Sequence, residues 1–191
     1  TKLINLSYEM EKEEFFSFVD KIIDEKKDKN ILIIVNTIKL SQELFKYINE
    51  NKDKNDDRKL VYLSTSVIPK SRLERIENIK NKESKNIVVS TQMVEAGVDI
   101  DMDVVIRDMA PLDSINQSAG RANRENRGEY LGEVYLVKIK DNDKLVAKYV
   151  YRDDILLEST KSVLKDKDVI YEQDYKLIGE EYFLNLNKNK S

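Results

Sequence analysis

Apolar residues recur along the chain at two periods, one helical and one of short unbroken runs. Phe15, Phe18, Val19, Ile22 and Ile23 fall at helical spacing in a charged background and predict an amphipathic helix ending near Asp28. Ile31 to Val35 is a continuous apolar run rich in β-branched residues, short enough to be a strand buried on both faces. Leu40, Leu44, Tyr47 and Ile48 predict the next helix. After a Lys/Asp/Asn loop from Asn51 to Lys59, Leu60 to Leu63 predicts a second strand. Leu73, Ile76 and Ile79 mark a helix after Pro69, and Ile87 to Val89, Val104 to Ile106 and Val134 to Ile139 predict three further strands. Beyond Asp141 the rhythm weakens. Val146 to Tyr151 reads as an edge strand, Ile155 to Leu164 and Tyr171 to Leu184 as two helices, and the Asn/Lys-rich end from Asn185 to Ser191 is expected to fray. Strands alternating with helices imply an α/β fold, with a parallel sheet, helices on both faces and right-handed crossovers.

Composition narrows the chemistry. The 191 residues suffice for one domain with a sizeable core, and 36% charged residues give it a highly charged surface. No uncharged apolar run approaches the roughly 18 residues of a spanning helix, and the N-terminus lacks a signal-peptide pattern, which points to a cytoplasmic protein without a membrane partner. Cysteine and histidine are both absent, which excludes disulfides, thiol nucleophiles, Ser-His-Asp catalysis and metals held by Cys or His within this chain. The first residue, Thr1, suggests a piece of a longer protein. A net charge of −3 does not announce a nucleic-acid binder. Yet only eight of the 33 basic residues are Arg, and Arg121, Arg124 and Arg127 fall close together. Arg brings the rigid bidentate fork that suits phosphates.

Ligands of open α/β sheets bind beyond the carboxyl ends of the strands. There the chain places Asn36-Thr37 after the first strand, Ser64-Thr65-Ser66 after the second and Ser90-Thr91-Gln92 after the third. Such groups line phosphate sites, and they are equally favoured helix caps. The stretch from Asp113 to Arg124 predicts a helix whose start is marked by Pro111 and Asp113, with Asp113 as its cap. On it Gln117, Arg121 and Arg124 share one stripe, Ile115, Ala119 and Ala122 face the sheet, and Gly120 admits a close backbone. Between these elements Gly97 permits a tight turn and Asp99 offers an acceptor for a ribose hydroxyl. Asp99, Asp101 and Asp103 do not form a calcium loop, because Val104 and Ala110 stand where Gly and Glu are needed. No metal site is supported. The tyrosines at 149, 151, 171, 175 and 182 have mixed spacing, which favours packing over a base-stacking platform.

Three of these segments resemble motifs of the second RecA-like domain of superfamily 2 helicases: Ile34-Val35-Asn36-Thr37, Ser90 through Asp101, and Gln117-Ser118-Ala119-Gly120-Arg121-Ala122-Asn123-Arg124. The order and wording from Ser90 through Ala110-Pro111-Leu112-Asp113 are most similar to the CRISPR-associated helicase-nucleases of type I interference systems. The likeness covers Asn30 to Lys138. It implies a RecA-like helicase domain over residues 1–140 with a helical extension over 141–191. It implies ATP and Mg2+ held mainly by an N-terminal RecA-like lobe, with single-stranded DNA lying across both lobes. By the same resemblance Gln117, Arg121 and Arg124 would face the phosphates, with Arg124 as arginine finger. Gly97 and Asp99 would contact the nucleotide; Ser90 and Thr91 would bond DNA phosphates; Asn36, Thr37 and Ser64 would touch the strand more loosely. Many relatives have His near Ser64, a departure that weakens its assignment. The implied partners are an RNA-guided surveillance complex and a histidine-aspartate nuclease, fused or separate. None of the five glycines opens a phosphate loop and the chain has no histidine for the histidine-aspartate nuclease, so the chain alone is expected neither to hydrolyse ATP nor to cut DNA. Two alternatives remain open: another superfamily 2 ATPase, such as an RNA helicase or restriction translocase, or a non-enzymatic α/β domain whose Arg stripe docks an acidic partner.

Overall fold

The computed structural model describes residues 1–81, 84–95, 98–124 and 130–189. In chain order the elements are β1 (Lys2–Glu11), α1 (Lys12–Glu25), β2 (Ile31–Ile34), α2 (Ile38–Asn51), β3 (Lys59–Leu63), α3 (Pro69–Lys80), β4 (Asn86–Ser90), β5 (Val104–Asp108), α4 (Leu112–Ala119), β6 (Glu133–Asp141), β7 (Lys144–Leu145), α5 (Ala147–Val150), α6 (Asp154–Leu164), β8 (Val169–Tyr171) and α7 (Tyr175–Asn189). One sheet runs in the order β3-β4-β2-β5-β6-β1-β8, with β7 paired on β6. The contacts from β3 through β1 are parallel, whereas β8 and β7 pair antiparallel.

The two faces follow from the strand period of two. In β2, Ile31 and Ile33 point to the side where α1 and α2 lay Phe15, Val19, Ile22, Leu44 and Ile48 on the sheet. Leu32 and Ile34 point to the opposite side, packed with Ile115 and Ala119 of α4, Leu157 of α6 and Tyr182 of α7. Every residue of β2, β4 and β5 is buried, which explains why these strands read as unbroken apolar runs rather than alternating ones.

Several boundaries differ from those the sequence predicts. The chain enters the sheet earlier, through β1, whose alternating and half-exposed residues give no continuous apolar run. Val146 to Tyr151 forms no edge strand. The two-residue β7 turns back on β6, and α5 comes after it. The last helix starts at Tyr175 rather than Tyr171, because Val169 to Tyr171 is drawn into the sheet beside Ile4, Leu3 and Lys2. It continues to Asn189, into the stretch expected to fray. Leu73 is exposed on α3, leaving Ile76 and Ile79 as that helix's core contacts. Among the C-terminal tyrosines Tyr182 is fully buried and Tyr151 and Tyr175 pack against the core, whereas Tyr149 and Tyr171 are exposed.

A candidate phosphate-facing groove and the strand-end loops

The helix expected to carry the arginine stripe is shorter than its sequence suggests. Pro111, not Asp113, occupies the cap of α4. Asp113 sits in its first turn, where a carboxylate favours the helix N-terminus. The helix closes at Ala119, so Gln117 lies on it and Arg121 and Arg124 lie beyond it. The amides of Arg121 and Ala122 bond back to Ser118 and Ala119, and Asn123 then takes a left-handed conformation at φ 52° that ends the turn. A side chain at Gly120 would meet only its own helix's carbonyls, at 3.4 and 3.6 Å, so that glycine serves no close approach. Gly132 does: a Cβ there would stand 2.7 Å from the carbonyl carbon and oxygen of Ala122. That approach pins the arginine turn against the entry to β6.

The turn is also stitched to the residues just before β5. The Met102 amide donates to the Arg121 carbonyl at 2.9 Å, and the Asn123 amide donates to the Met102 carbonyl at 2.7 Å. The arginines therefore sit at the amino end of β5, whereas Asn36, Ser64 and Ser90 follow the carboxyl ends of β2, β3 and β4 or close them. The fold thus keeps the arginines and the strand-end residues at opposite ends of the sheet. Residues 98–101 run down one face of the sheet beside α4. The groove between them is lined by Val98, Asp99, Gln117, Gly120, Arg121 and Arg124.

Within that groove Arg124 Nη1 lies 2.6 Å from Asp99 Oδ1, an ion pair open to solvent, and the Arg124 amide donates to Asp101 Oδ1 at 2.6 Å. Arg121 is deeper. Its Nη2 donates to the Glu95 carbonyl at 2.9 Å, and its Nε is buried with no hydrogen-bond partner among the described residues. Burial, and then the charge of Arg124, hold the Arg121 guanidinium below its ordinary pKa, while Asp99 opposes them. The groove is thus a place where two guanidinium groups repel each other, which an anion lodged between them would relieve. Gly97 and Arg127 lie outside the described residues.

At the carboxyl edge the expected contact residues have structural duties. Asn36 is buried, donates through Nδ2 to Asp108 Oδ2 and to the Met109 carbonyl, both at 2.7 Å, and accepts from Arg107. Thr37 caps α2 by accepting the Leu40 amide at 3.2 Å. Ser64 is buried and accepts from the amide and hydroxyl of Ser66. Ser90 is buried and donates to the Thr91 carbonyl, and Thr91 is buried beside it. Pattern reading passes over Arg107, Asp108 and Glu95, although two adjacent charges closing an otherwise apolar strand were a usable signal for the first two. Asp108 is enclosed, and burial pushes its carboxyl up to about 7 despite the opposing pull of Arg107. A carboxyl that holds its proton more tightly in the fold contributes stability fully below about pH 4, and that contribution is lost as pH rises through 7. Asp108→Asn should remove this dependence. The difference in unfolding free energy between wild type and variant, from denaturant titrations, is expected to change between about pH 4 and 7 and to stay level above about pH 8.

Among the described residues no cluster of acidic side chains could hold a metal ion, and no helix is long and apolar enough to cross a membrane. Comparison with known proteins gives a consistent family. A family model for the C-terminal part of the CRISPR-associated nuclease/helicase Cas3 matches residues 27–127. The Cas3 nuclease/helicase of Methanothermobacter thermautotrophicus is 31% identical over 152 residues, an alignment spanning 78% of this chain and 17% of that protein. The crystal structure of T. fusca Cas3-ADP superposes with a TM-score of 0.78 at 18% identity, covering 99% of this chain and 25% of that one. A chain of a CRISPR RNA-guided surveillance complex in its pre-nicking state superposes at 0.68 and 16% identity, covering 99% of this chain and 26% of that one. The chain thus spans about a sixth to a quarter of the length of these relatives. With a RecA-like α/β sheet and the matched segment running from before β2 through the arginine turn, the chain belongs to the family of Cas3 C-terminal helicase domains.

Proposed function

We propose that the chain is the second RecA-like lobe of a cytoplasmic, ATP-dependent single-stranded DNA translocase or helicase of CRISPR interference. The observation that carries this reading is the arginine turn: Arg121 and Arg124 share one groove with Gln117 and Asp99, and the Arg121 Nε there is buried and unpaired among the described residues. These residues fit the phosphates of a nucleotide presented by an N-terminal lobe, which in this reading also supplies the phosphate loop and holds Mg2+. Bound Mg2+–ATP supplies the phosphoanhydride whose hydrolysis drives the motor.

In the open lobe Asp99 holds Arg124 in place. A phosphate brought in by closure competes for the same guanidinium and completes the bonding of Arg121, so both arginines gain charge-assisted hydrogen bonds only in the closed state. Arg124 is the group placed to neutralise charge on the transferring phosphoryl, with Arg121 beside it and Gln117 orienting the phosphates. Gly97 and Asp99 are assigned to the nucleotide. At the carboxyl edge Thr91 and Thr37 and the loop amides that follow β2 and β4 are assigned to the phosphates of the strand, and Ser90, whose hydroxyl is buried on the Thr91 carbonyl, sets the course of that loop. Asn36 and Ser64, whose side chains are occupied internally, act there by shaping the loops. Residues 1–140 form the helicase domain in this reading and residues 141–191 the extension. The partners are the N-terminal lobe, an RNA-guided surveillance complex and a histidine-aspartate nuclease, and the lobe alone does not turn over ATP.

The test is ATP turnover of the full-length protein with and without single-stranded DNA and RNA, over a range of salt. Turnover is expected to rise with DNA of any sequence and the stimulation to weaken steeply as salt increases, because the contacts are to phosphates. Stimulation by RNA alone would move the chain to another kind of superfamily 2 ATPase. Turnover indifferent to either strand would leave the arginine groove as a docking surface.

A further inference from the structure

Arg107 is the largest fully buried side chain among the described residues, and the function proposed above gives it no task. Its guanidinium joins four separate stretches of chain. Nη1 donates to Asn36 Oδ1 at 2.7 Å, in the loop after β2, and to the Asp108 carbonyl at 2.9 Å, at the end of β5. Nη2 lies 2.7 Å from Glu95 Oε1, in the segment after β4, and 3.0 Å from the Tyr151 hydroxyl, after α5. Glu95 is joined to the arginine turn twice more. Ser118 Oγ lies 3.1 Å from its Oε1, sharing its one proton between that oxygen and the Ser114 carbonyl at 2.9 Å, and Arg121 donates to its carbonyl oxygen at 2.9 Å.

A charged pair enclosed in the sheet is a costly way to hold two strands together, since apolar residues of like volume do so at least as well. What the pair does offer is direction: Arg presents a planar fork that fixes where each partner sits. Here Arg107 gathers partners from separate stretches of chain, and Glu95 in turn holds residues of the arginine turn. One path runs from the Asn36 loop, at the carboxyl edge, through Arg107 to Glu95. From Glu95 the path continues to Ser118 and Arg121 in the phosphate-facing groove.

We infer that the buried Arg107–Glu95 pair is the strut that couples the strand-end loops to the arginine turn, with both residues acting as positioning residues for Arg121. This rests on the reading of the chain as a strand-stimulated ATPase lobe. A strand seated on the loops after β2 and β4 biases the position of Asn36 and of the segment leading to Glu95. The fork transmits that bias to the carbonyl and carboxylate against which Arg121 and Ser118 rest.

The experiment uses the full-length protein. Glu95→Gln keeps the oxygen that receives Arg107 and Ser118 and removes the charge that holds the fork; Ser118→Ala removes one link with little change in volume. ATP turnover with and without single-stranded DNA, DNA affinity and thermal unfolding are measured for both. Strand stimulation is expected to fall about tenfold in Glu95→Gln, with turnover in the absence of DNA and DNA affinity close to wild type. In Ser118→Ala the expected fall is about threefold. A folded Glu95→Gln protein stimulated like wild type overturns the proposal, as does an equal fall of stimulated and unstimulated turnover. Should Glu95→Gln not fold, Ser118→Ala decides by the same criterion. Failure of the lobe reading shows differently, as a wild-type protein that DNA does not stimulate, and it takes the strut with it.

Discussion

Arg124→Ala in the full-length protein is expected to lower strand-stimulated ATP turnover about a thousandfold or more, the scale of losing an arginine finger in phosphoryl transfer. The guanidinium lies in an exposed pair with Asp99, so its removal takes away little packing and the domain should unfold at nearly the wild-type temperature. The loss should appear in kcat more than in KM, because in the role proposed for it Arg124 makes its contact most strongly as charge develops on the transferring group. Single-stranded DNA affinity should change little, since the strand-end loops lie at the other end of the sheet. Steady-state turnover against ATP concentration, with DNA saturating, separates these quantities. Unchanged turnover would remove Arg124 from the chemistry and leave the groove as a binding surface.

The second large effect falls on stability. Arg107→Ala removes one partner from an enclosed pair and leaves Glu95 and Asn36 with unmet bonds, a loss of about 3–5 kcal/mol. For a domain of this size that lowers the unfolding temperature by roughly 10 °C. Calorimetry of the domain gives both numbers. The double replacement Arg107→Met with Glu95→Leu should recover most of the stability, because the desolvated charges leave together. A double variant as unstable as the single one would show that the packing of the guanidinium stem, not the stranded carboxylate, sets the cost.

The parts of the fold written most plainly in the sequence are those with one physical cause. β2, β4 and β5 are buried on both faces, so each had to be a continuous apolar run, and each lies where that run lies. β1 was not legible because a charged, half-exposed strand shares its pattern with a loop, and its membership of the sheet depends on β6 and β8. The same cause set the start of the last helix: Tyr171, which the sequence places in that helix, is claimed together with Val169 and Ile170 by pairing with β1. At the candidate site, residue types and order were readable, but their placement was not. Helical spacing set Gln117, Arg121 and Arg124 on one stripe, whereas the helix ends at Ala119 and the left-handed Asn123 re-aims the chain into Arg124. The buried fork of Arg107 escaped notice because a charge at the end of a strand is usually solvated, and only the tertiary fold shows that this one is enclosed.

The position of β1 also sets the order in which the molecule can be finished. Its parallel partner is β6, with Leu3 opposite Val134, and its other neighbour is β8, with Leu3 opposite Ile170. On a ribosome β1 therefore emerges without either edge it needs, and β2, α2, β3, α3, β4 and β5 are all made before β6 arrives. Closing so long a loop comes late and slowly in folding. Until then β1 is an unpaired strand with Leu3 and Met10 awaiting burial, the kind of segment through which nascent chains associate wrongly. Lys2, Glu9 and Glu11 in β1, with Lys12 and Glu13 at the start of α1, put charge at both ends of that segment and act against wrong pairing in the interval, so the charge that hid this strand from pattern reading has a use before the fold exists.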